Sequence, residues 1–301
     1  MISNDTDTLR PIRIAALLTC HNRKAKTLAC LTSLFNQNTA GRTSLHAFVV
    51  DAGSSDGTSE EIRSRFPEVS IFCRSEDLFW CGGMRVAFGQ AGRDEYDYCL
   101  WLNDDTVLLP RALQVLLASA GAIRRQTGRD GILVGSTRDP DTGARTYGGV
   151  LRSGWLRPLG FRPVQPVPRP LRCDTFNGNI VLVPRSIAEA VGNLSREFTH
   201  AIADTDYGLR AQKKGFSSWV VPGYVGLCRR NSDTYRWCDP NVPIWKRLQI
   251  LRSPKGLPPR EWKIFARRHA PIQWPVCWLS LYFRACFPRF WGLLHVVRGR
   301  K

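Results

Sequence analysis

The sequence predicts an α/β protein with a Rossmann-like, mostly parallel sheet, and two observations carry that prediction. Short apolar runs alternate, through the first half, with stretches whose apolar residues recur at helical spacing, as βα units require. In addition, 301 residues with a hydrophobic share of 43% can fill a sizeable core, which excludes a disordered chain.

IRIAALLT (12–19) reads as a buried first strand, and KAKTLACLTSLFNQ (24–37) as a helix with Leu28, Leu31, Leu34 and Phe35 on one face. AFVVD (47–51) is the second strand, GTSEEIRSRF starts a helix, and VSIFCR (69–74) is the third strand. GGMRVAFGQAG predicts a helix opening on its glycines, and YDYCLWL (96–102) a fourth strand. After Pro110 come a helix, RALQVLLASAGAIRRQ, and a strand, GILVGS (131–136). Residues 137–173, rich in Gly, Pro and Arg, read as an excursion of hairpins and loops over one face. Regular pattern returns with NIVLVPR (179–185), a helix to about Val191, a helix from Asp204 to Lys214, and the strand FSSWVV (216–221). From Asn241 the pattern is helical but interrupted by SPKGLPP and by Pro271, Pro275 and Pro288.

The chain carries 43 Lys and Arg against 25 Asp and Glu, a net charge of +18, so anionic partners are expected: nucleic acid, anionic membrane or phosphorylated substrates. Residues 229–301 hold 16 basic residues and 3 acidic ones, so this tail reads separately from the rest. Ten cysteines form no CxxC pair and lie mostly inside apolar runs, which points to a reduced, cytosolic protein using Cys as a small core residue. The opening MISNDTDTLRPIR lacks the basic-then-apolar pattern of a signal peptide. Within the tail the longest uncharged stretch, Ala270 to Phe283, is 14 residues with two prolines, short of the roughly 20 that span a bilayer.

Ligands of a parallel α/β sheet bind beyond the carboxyl ends of its strands, and here those ends are acidic. AFVVD ends in Asp51 and continues as AGSSDGT; CLWL ends in Asn103-Asp104-Asp105-Thr106. Carboxylates there recruit a cation or the hydroxyls of a ribose; the alternative is a turn and helix caps. A third cluster, His200-Ala-Ile-Ala-Asp204-Thr-Asp206-Tyr-Gly-Leu-Arg210, opens a helix, where carboxylates either cap or act as a general base. Arg210 follows at a spacing that lets it hold one of them.

In this order the motifs resemble the inverting family-two glycosyltransferases of the A-type fold. The matching residues are ALLTCHNR (16–23), VVDAGSSDGT (49–58), LFWCGGMRVA (78–87), LWLNDDT (100–106), FNGNIVLVPR (176–185) and ADTDYGLRAQKKGF (203–216). Within that family the chain looks most like bacterial rhamnosyltransferase-type enzymes of polysaccharide assembly. The resemblance implies that Thr19, Asn22, Arg23 and Asp51 bind the nucleotide, that Gly82 and Gly83 let the backbone pass close to the donor, and that Asp104 adjoins it. It further implies that Asp105 holds Mg2+ or Mn2+ against the diphosphate and that Asp204 is the catalytic base. Two departures stand out: Asn103 occupies the first position of the metal triplet, and Cys228 in GLCRRNS stands where many relatives carry a metal-binding His.

The expectation is a nucleotide-sugar donor whose sugar passes, with inversion, to a hydroxyl of a saccharide or lipid-linked acceptor. Trp155, Phe176, Asn177 and Asn179 are candidates for the acceptor side, or else ordinary turn and core. Residues 1–228 form the expected catalytic domain, 11–110 its nucleotide half and 111–228 its acceptor half, with a basic, aromatic, helical extension at 229–301. A sugar-nucleotide nucleotidyltransferase would need a Gly-rich phosphate loop after the first strand, and Thr19-Cys-His-Asn-Arg23 has no glycine. A nucleic-acid-binding protein is the other alternative, favoured by the basic tail with Trp237, Trp245, Trp262, Trp274 and Trp278, but no reader motif accompanies it. The mixture of Arg and aromatic residues from Trp262 to Val297 fits an anionic membrane surface, and hence a peripheral place on the cytoplasmic face of the inner membrane.

Overall fold

The computed structural model describes residues 10–38, 41, 43–231 and 236–291. The first half folds as successive βα units: β1 (Ile12–Cys20), α1 (Lys24–Phe35), β2 (Thr43–Ala52), α2 (Thr58–Arg65), β3 (Ser70–Arg74), α3 (Phe79–Ala91) and β4 (Tyr98–Leu102). There follow β5 (Val107–Leu108), α4 (Ala112–Thr127), β6 (Gly131–Arg138), β7 (Gly149–Arg152), β8 (Phe161–Pro163), β9 (Leu171–Cys173), β10 (Thr175–Phe176) and β11 (Ile180–Pro184). The chain continues through α5 (Arg185–Val191), α6 (Ala203–Lys213), β12 (Ser217–Leu227), α7 (Ile244–Arg252), α8 (Pro259–His269) and α9 (Trp274–Cys286).

Among the described residues the central sheet runs β3-β2-β1-β4-β11-β6-β12-β5, with β9 also pairing β12, while β10, β7 and β8 form a small second sheet. The β3-β2-β1-β4 half is parallel throughout, and β12 is parallel to β6; β11 is antiparallel to both its neighbours. The mostly parallel α/β architecture expected from the alternation is therefore present. Both faces are covered, which is why β1 reads as a continuous apolar run. Alternation along that strand sends Ala15 and Leu17 into one core with Trp101 and Met84, and Ile14, Ala16 and Leu18 into another with Leu31 and Leu116.

Two boundaries differ from the sequence reading in ways that matter for the site. α3 opens at Phe79 rather than on its glycines, because Gly83 is an interior position where the helix crosses β1: a Cβ there would collide with the Thr19 side chain. β12 runs on to Leu227, past Pro222 and a register shift beside Gly223 (φ 66°), and so delivers Cys228 to the end of the sheet.

The tail divides its aromatics. Trp237, Leu251, Trp262, Phe265, Leu281 and Ala285 belong to the same core as Trp101 and Tyr207, so the inner half of the tail packs back onto the central sheet. Trp262 is thereby removed from the surface expected of it, its Nε1–H donating to the Cys277 carbonyl at 2.9 Å. Val297, where that stretch ends, lies outside the described residues. Among the described residues no helix is long and apolar enough to cross a membrane. Cys20, Cys30, Cys81, Cys173 and Cys228 are buried without a disulfide, and Cys73 alone of the ten is exposed.

Candidate active site

The carboxyl ends of β1, β2 and β4 converge, and their loops are tied together before any ligand is considered. Asn22, held at a left-handed φ of 50°, donates its N–H to Ser54 Oγ (2.9 Å) and accepts from the Ser55 N–H (2.8 Å) through Oδ1. Asp56 accepts from the Lys24 N–H at the start of α1 and from the Thr58 N–H at the start of α2, so one carboxylate caps two helices. Asp51 is turned into this same loop. Only 2% exposed, it accepts from the Ser54 N–H at 2.9 Å and from the Ser59 hydroxyl. Both oxygens of Asp51 thus hold the loop that shapes the site.

At the end of β4 the three residues of the triplet diverge. Asn103 Oδ1 accepts from Trp80 Nε1–H at 2.8 Å, which engages its side chain inside the protein. Arg23 Nη1 bridges Asp104 Oδ1 (3.1 Å) and Asp105 Oδ2 (3.0 Å). Asp104 is buried, its Oδ2 has no hydrogen-bond partner, and burial pushes its carboxyl up to about 7 against the opposing pull of Arg23. Asp105 is partly open. The Cys228 thiol donates to its Oδ1 at 3.5 Å, and Asn179 Nδ2 approaches the same sulfur at 3.6 Å. Cys228 keeps its proton: burial, then the Asp105 charge, pushes the thiol up to about 12.

Asp204 stands at the start of α6 behind Ile202, whose φ of 61° is strained for a β-branched residue. Its Oδ2 accepts from the Gly178 N–H at 2.8 Å and its Oδ1 from the Thr205 N–H at 2.7 Å. Burial raises its pKa, and these bonds oppose the rise. Gly178 is pinned between two side chains, since a Cβ there would lie 2.8 Å from the Trp80 ring and 3.4 Å from Asp204 Cβ. Trp80 thus touches both groups: its indole N–H reaches Asn103 beside the Arg23 cluster, and its ring backs the loop that orients Asp204.

Asp206, two residues further along α6, is fully buried and serves a different purpose. Arg210 Nε reaches its Oδ2 at 2.8 Å, while Arg268 Nη1 and His269 Nε2 from α8 reach Oδ1, each at 2.8 Å. Burial disfavours the charge, and the bonds from His269, Arg210 and Arg268 outweigh it, holding the carboxyl below its usual range.

The structure therefore joins Arg23, Asp104 and Asp105 in one cluster, and Trp80 links their neighbour Asn103 to the Gly178 loop that holds Asp204. Thr19 and Gly83 are in contact with each other, Thr19 donating to the Val50 carbonyl at 3.2 Å, so both make the helix-on-strand crossing; Gly82 sits over Leu78, the residue just ahead of that helix. Of the acceptor candidates, Phe176 is fully buried against Trp101 and Asn179 is buried at Cys228, so these two are core. Trp155 is 76% exposed on the excursion, beside Gln273 of the tail. Trp80 was not singled out from the sequence, although its place in LFWCGGMR next to two glycines was the signal that could have found it.

A family model for glycosyl transferase family 2 matches residues 16–179, and the chain belongs to that family. The N-acetylglucosaminyl-diphospho-decaprenol L-rhamnosyltransferase of Mycobacterium tuberculosis is 26% identical over 213 residues, covering 62% of this chain and 67% of that protein. Among solved structures, a mannosyltransferase from Pyrobaculum calidifontis in complex with GDP-Man and Mn2+ aligns over 98% of this chain and 77% of its own, with a TM-score of 0.57 and 16% identity. GalNAc-T7 with UDP, GalNAc and Mn2+ aligns over 89% of this chain and 50% of its own, with a TM-score of 0.61 and 13% identity. The protein is a glycosyltransferase with the A-type fold and a helical C-terminal region.

Proposed function

We propose that the protein transfers a sugar, rhamnose in the first instance, from a nucleotide-diphosphate donor to a hydroxyl of a saccharide or lipid-linked acceptor, with inversion, in bacterial cell-surface polysaccharide assembly. What supports this reading is a carboxylate, Asp204, fixed by the Gly178 N–H on a loop that the Trp80 ring backs, while the same indole N–H bonds Asn103, next in the chain to the Asp104 and Asp105 that hold Arg23. The substrate class follows the name of the Mycobacterium tuberculosis relative, whose acceptor is lipid-linked.

In this reading Arg23 meets the donor's diphosphate, where charge develops as the leaving group departs. Asn22 and Ser54 present the loop edge against which the nucleotide lies, and Asp51 keeps that edge in place. Asp204 accepts the proton of the acceptor hydroxyl; the Gly178 N–H holds one oxygen so that the carboxylate cannot rotate away. No covalent sugar–protein bond is formed.

Both solved relatives carry Mn2+, and the residues present fit a hard divalent ion that arrives with the diphosphate. Such ions are held by one or two carboxylates plus substrate phosphates. Asp105 is open to solvent on one side, and the orphaned Oδ2 of Asp104 is a second oxygen in need of a partner. Asn103, engaged by Trp80, is not a ligand, and Cys228 offers a protonated thiol that a hard ion does not choose. When bound, Mg2+ or Mn2+ neutralises diphosphate charge.

The test is Asp204→Asn, assayed for transfer and for nucleoside-diphosphate affinity together. Turnover is expected to fall by about 10²–10⁴-fold, with affinity unchanged within about twofold. Normal turnover removes Asp204 from the mechanism.

A further inference from the structure

α9 is apolar on both sides. Leu281 and Ala285 face the core, yet every exposed residue of the helix, Pro275, Val276, Leu279 and Phe283, is apolar as well. Within α9 Val276, Leu279 and Phe283 follow at steps of three and four and so share a face, while Ile272 before the helix and Phe287 and Phe290 after it are exposed as well. Ile272 is 86% exposed and Val276 72%. Trp155 and Leu156, at the tip of the excursion, are equally open and lie against the start of this line, where Gln273 Nε2 donates to the Trp155 carbonyl. A concavity of about 380 Å3 between the two segments is lined by Arg152, Trp155, His269, Ile272 and Gln273.

The segments that carry this face are basic: residues 142–173, which include Trp155, contain six arginines and no carboxylate, and the described residues 262–291 contain five basic residues and no carboxylate, Arg268 among them being paired with Asp206 and Glu197. Arg267 lies over the Trp274 ring at 4.3 Å and Lys263 at 5.6 Å, an arrangement of cation on indole suited to a headgroup layer. A second copy of the chain would meet this face with like charge. Nucleic acid would be met by the basic residues but would leave Ile272, Val276 and Leu279 with nothing to stack on.

We propose that the outward face of α9, with Trp155 and Leu156, docks on an anionic lipid surface. The apolar line enters the headgroup boundary, and the surrounding arginines and lysines meet lipid phosphates. This deepens the proposed function, on whose lipid-linked acceptor it rests for its purpose; the docking itself is measured with neither donor nor acceptor.

The experiment is flotation of the full chain with phosphatidylcholine vesicles, with and without phosphatidylglycerol, at low and high salt. The wild-type chain is expected to float with the anionic vesicles and to be released by salt. The triple variant Val276→Ser, Leu279→Ser, Phe283→Ser is expected to lose about tenfold or more of that partitioning, with its melting temperature and nucleoside-diphosphate affinity retained. The loop variant Trp155→Ser, Leu156→Ser, which alters no helix, gives the same reading should the helix variant melt early. The proposal is overturned if the wild-type chain stays in the soluble fraction with both vesicles, if both variants float as the wild type does, or if the triple substitution splits a dimer in sedimentation velocity. None of these outcomes touches transfer to a soluble acceptor, so the two readings fail separately.

Discussion

The main-chain N–H of Gly178 donates to Asp204 Oδ2 at 2.8 Å, so the loop before β11 sets the orientation of the carboxylate that opens α6. Trp80 closes the opposite side of residue 178. Gly178→Ala must displace one of the two, and a misplacement of about 1 Å costs about 10²-fold in rate. Steady-state kinetics should show kcat reduced on that scale with the donor KM little changed. An unaltered kcat would show that Asp204 needs no such support.

Asn103 and Asp105, two residues apart, should respond oppositely to truncation. Asn103→Ala leaves the part-buried Trp80 N–H without its partner and is expected to cost about 1 kcal/mol of stability while Mn2+-dependent diphosphate binding persists. Asp105→Ala should abolish that dependence with little loss of stability. Thermal melts and a Mn2+ titration of nucleoside-diphosphate binding separate them; equal losses in the titration would make the whole triplet structural.

His200 supplies a pH signature. Burial, then the charges of Lys255 and Arg23, depresses its pKa to about 4 from an ordinary value of 6.5. The unfolded chain therefore takes up this proton first as pH falls. The stabilising contribution is complete above about 6.5 and is lost progressively toward pH 4. His200→Phe, which keeps a ring edge-on to Phe79, removes the contribution. The difference between wild type and variant should change by about 2–3 kcal/mol across that window, each pKa unit being worth about 1.4 kcal/mol. Parallel stability curves would refute the assignment.

Removing the carboxylate at 206 leaves Arg210, Arg268 and His269 facing one another without a counter-charge. Asp206→Ala is expected to destabilise by about 3–5 kcal/mol, as breaking a buried ion pair does. Denaturant unfolding measures it directly, and a change under about 1 kcal/mol would show that the three partners find others.

The βα half of the fold was legible because its strands are short apolar runs between helical periodicities, both local signals. Pairings such as β9 on β12 and β10 on β7 were not, since they join distant segments of a Gly- and Pro-rich stretch with no period of its own. Within the site, residue type located the carboxylates but could not say which way each turns. Asp51 looks like a ligand in sequence and Asn103 like a departure from the metal triplet, but sequence does not show that Asp51 is engaged by the local loop and Asn103 by Trp80 from another element. Glycines misled about α3 for a related reason, since Gly83 answers a close approach by Thr19 rather than a helix start. In the tail, aromatic content could not distinguish Trp262, which is core, from Phe287, which is surface; only the packing partners do.

The junction at Asp206 joins α6, which carries Asp204, to α8 in the extension. Neither helix can detach without stranding a buried charge, so their amides should exchange with solvent through a shared opening, as one cooperative unit. A chain cut after Pro259 would lose Trp262, Phe265, Arg268 and His269 together, and with them part of the wall behind α6. The extension is thus no detachable module: dissecting this enzyme into a minimal transferase and a separate tail would yield two fragments that aggregate or unfold.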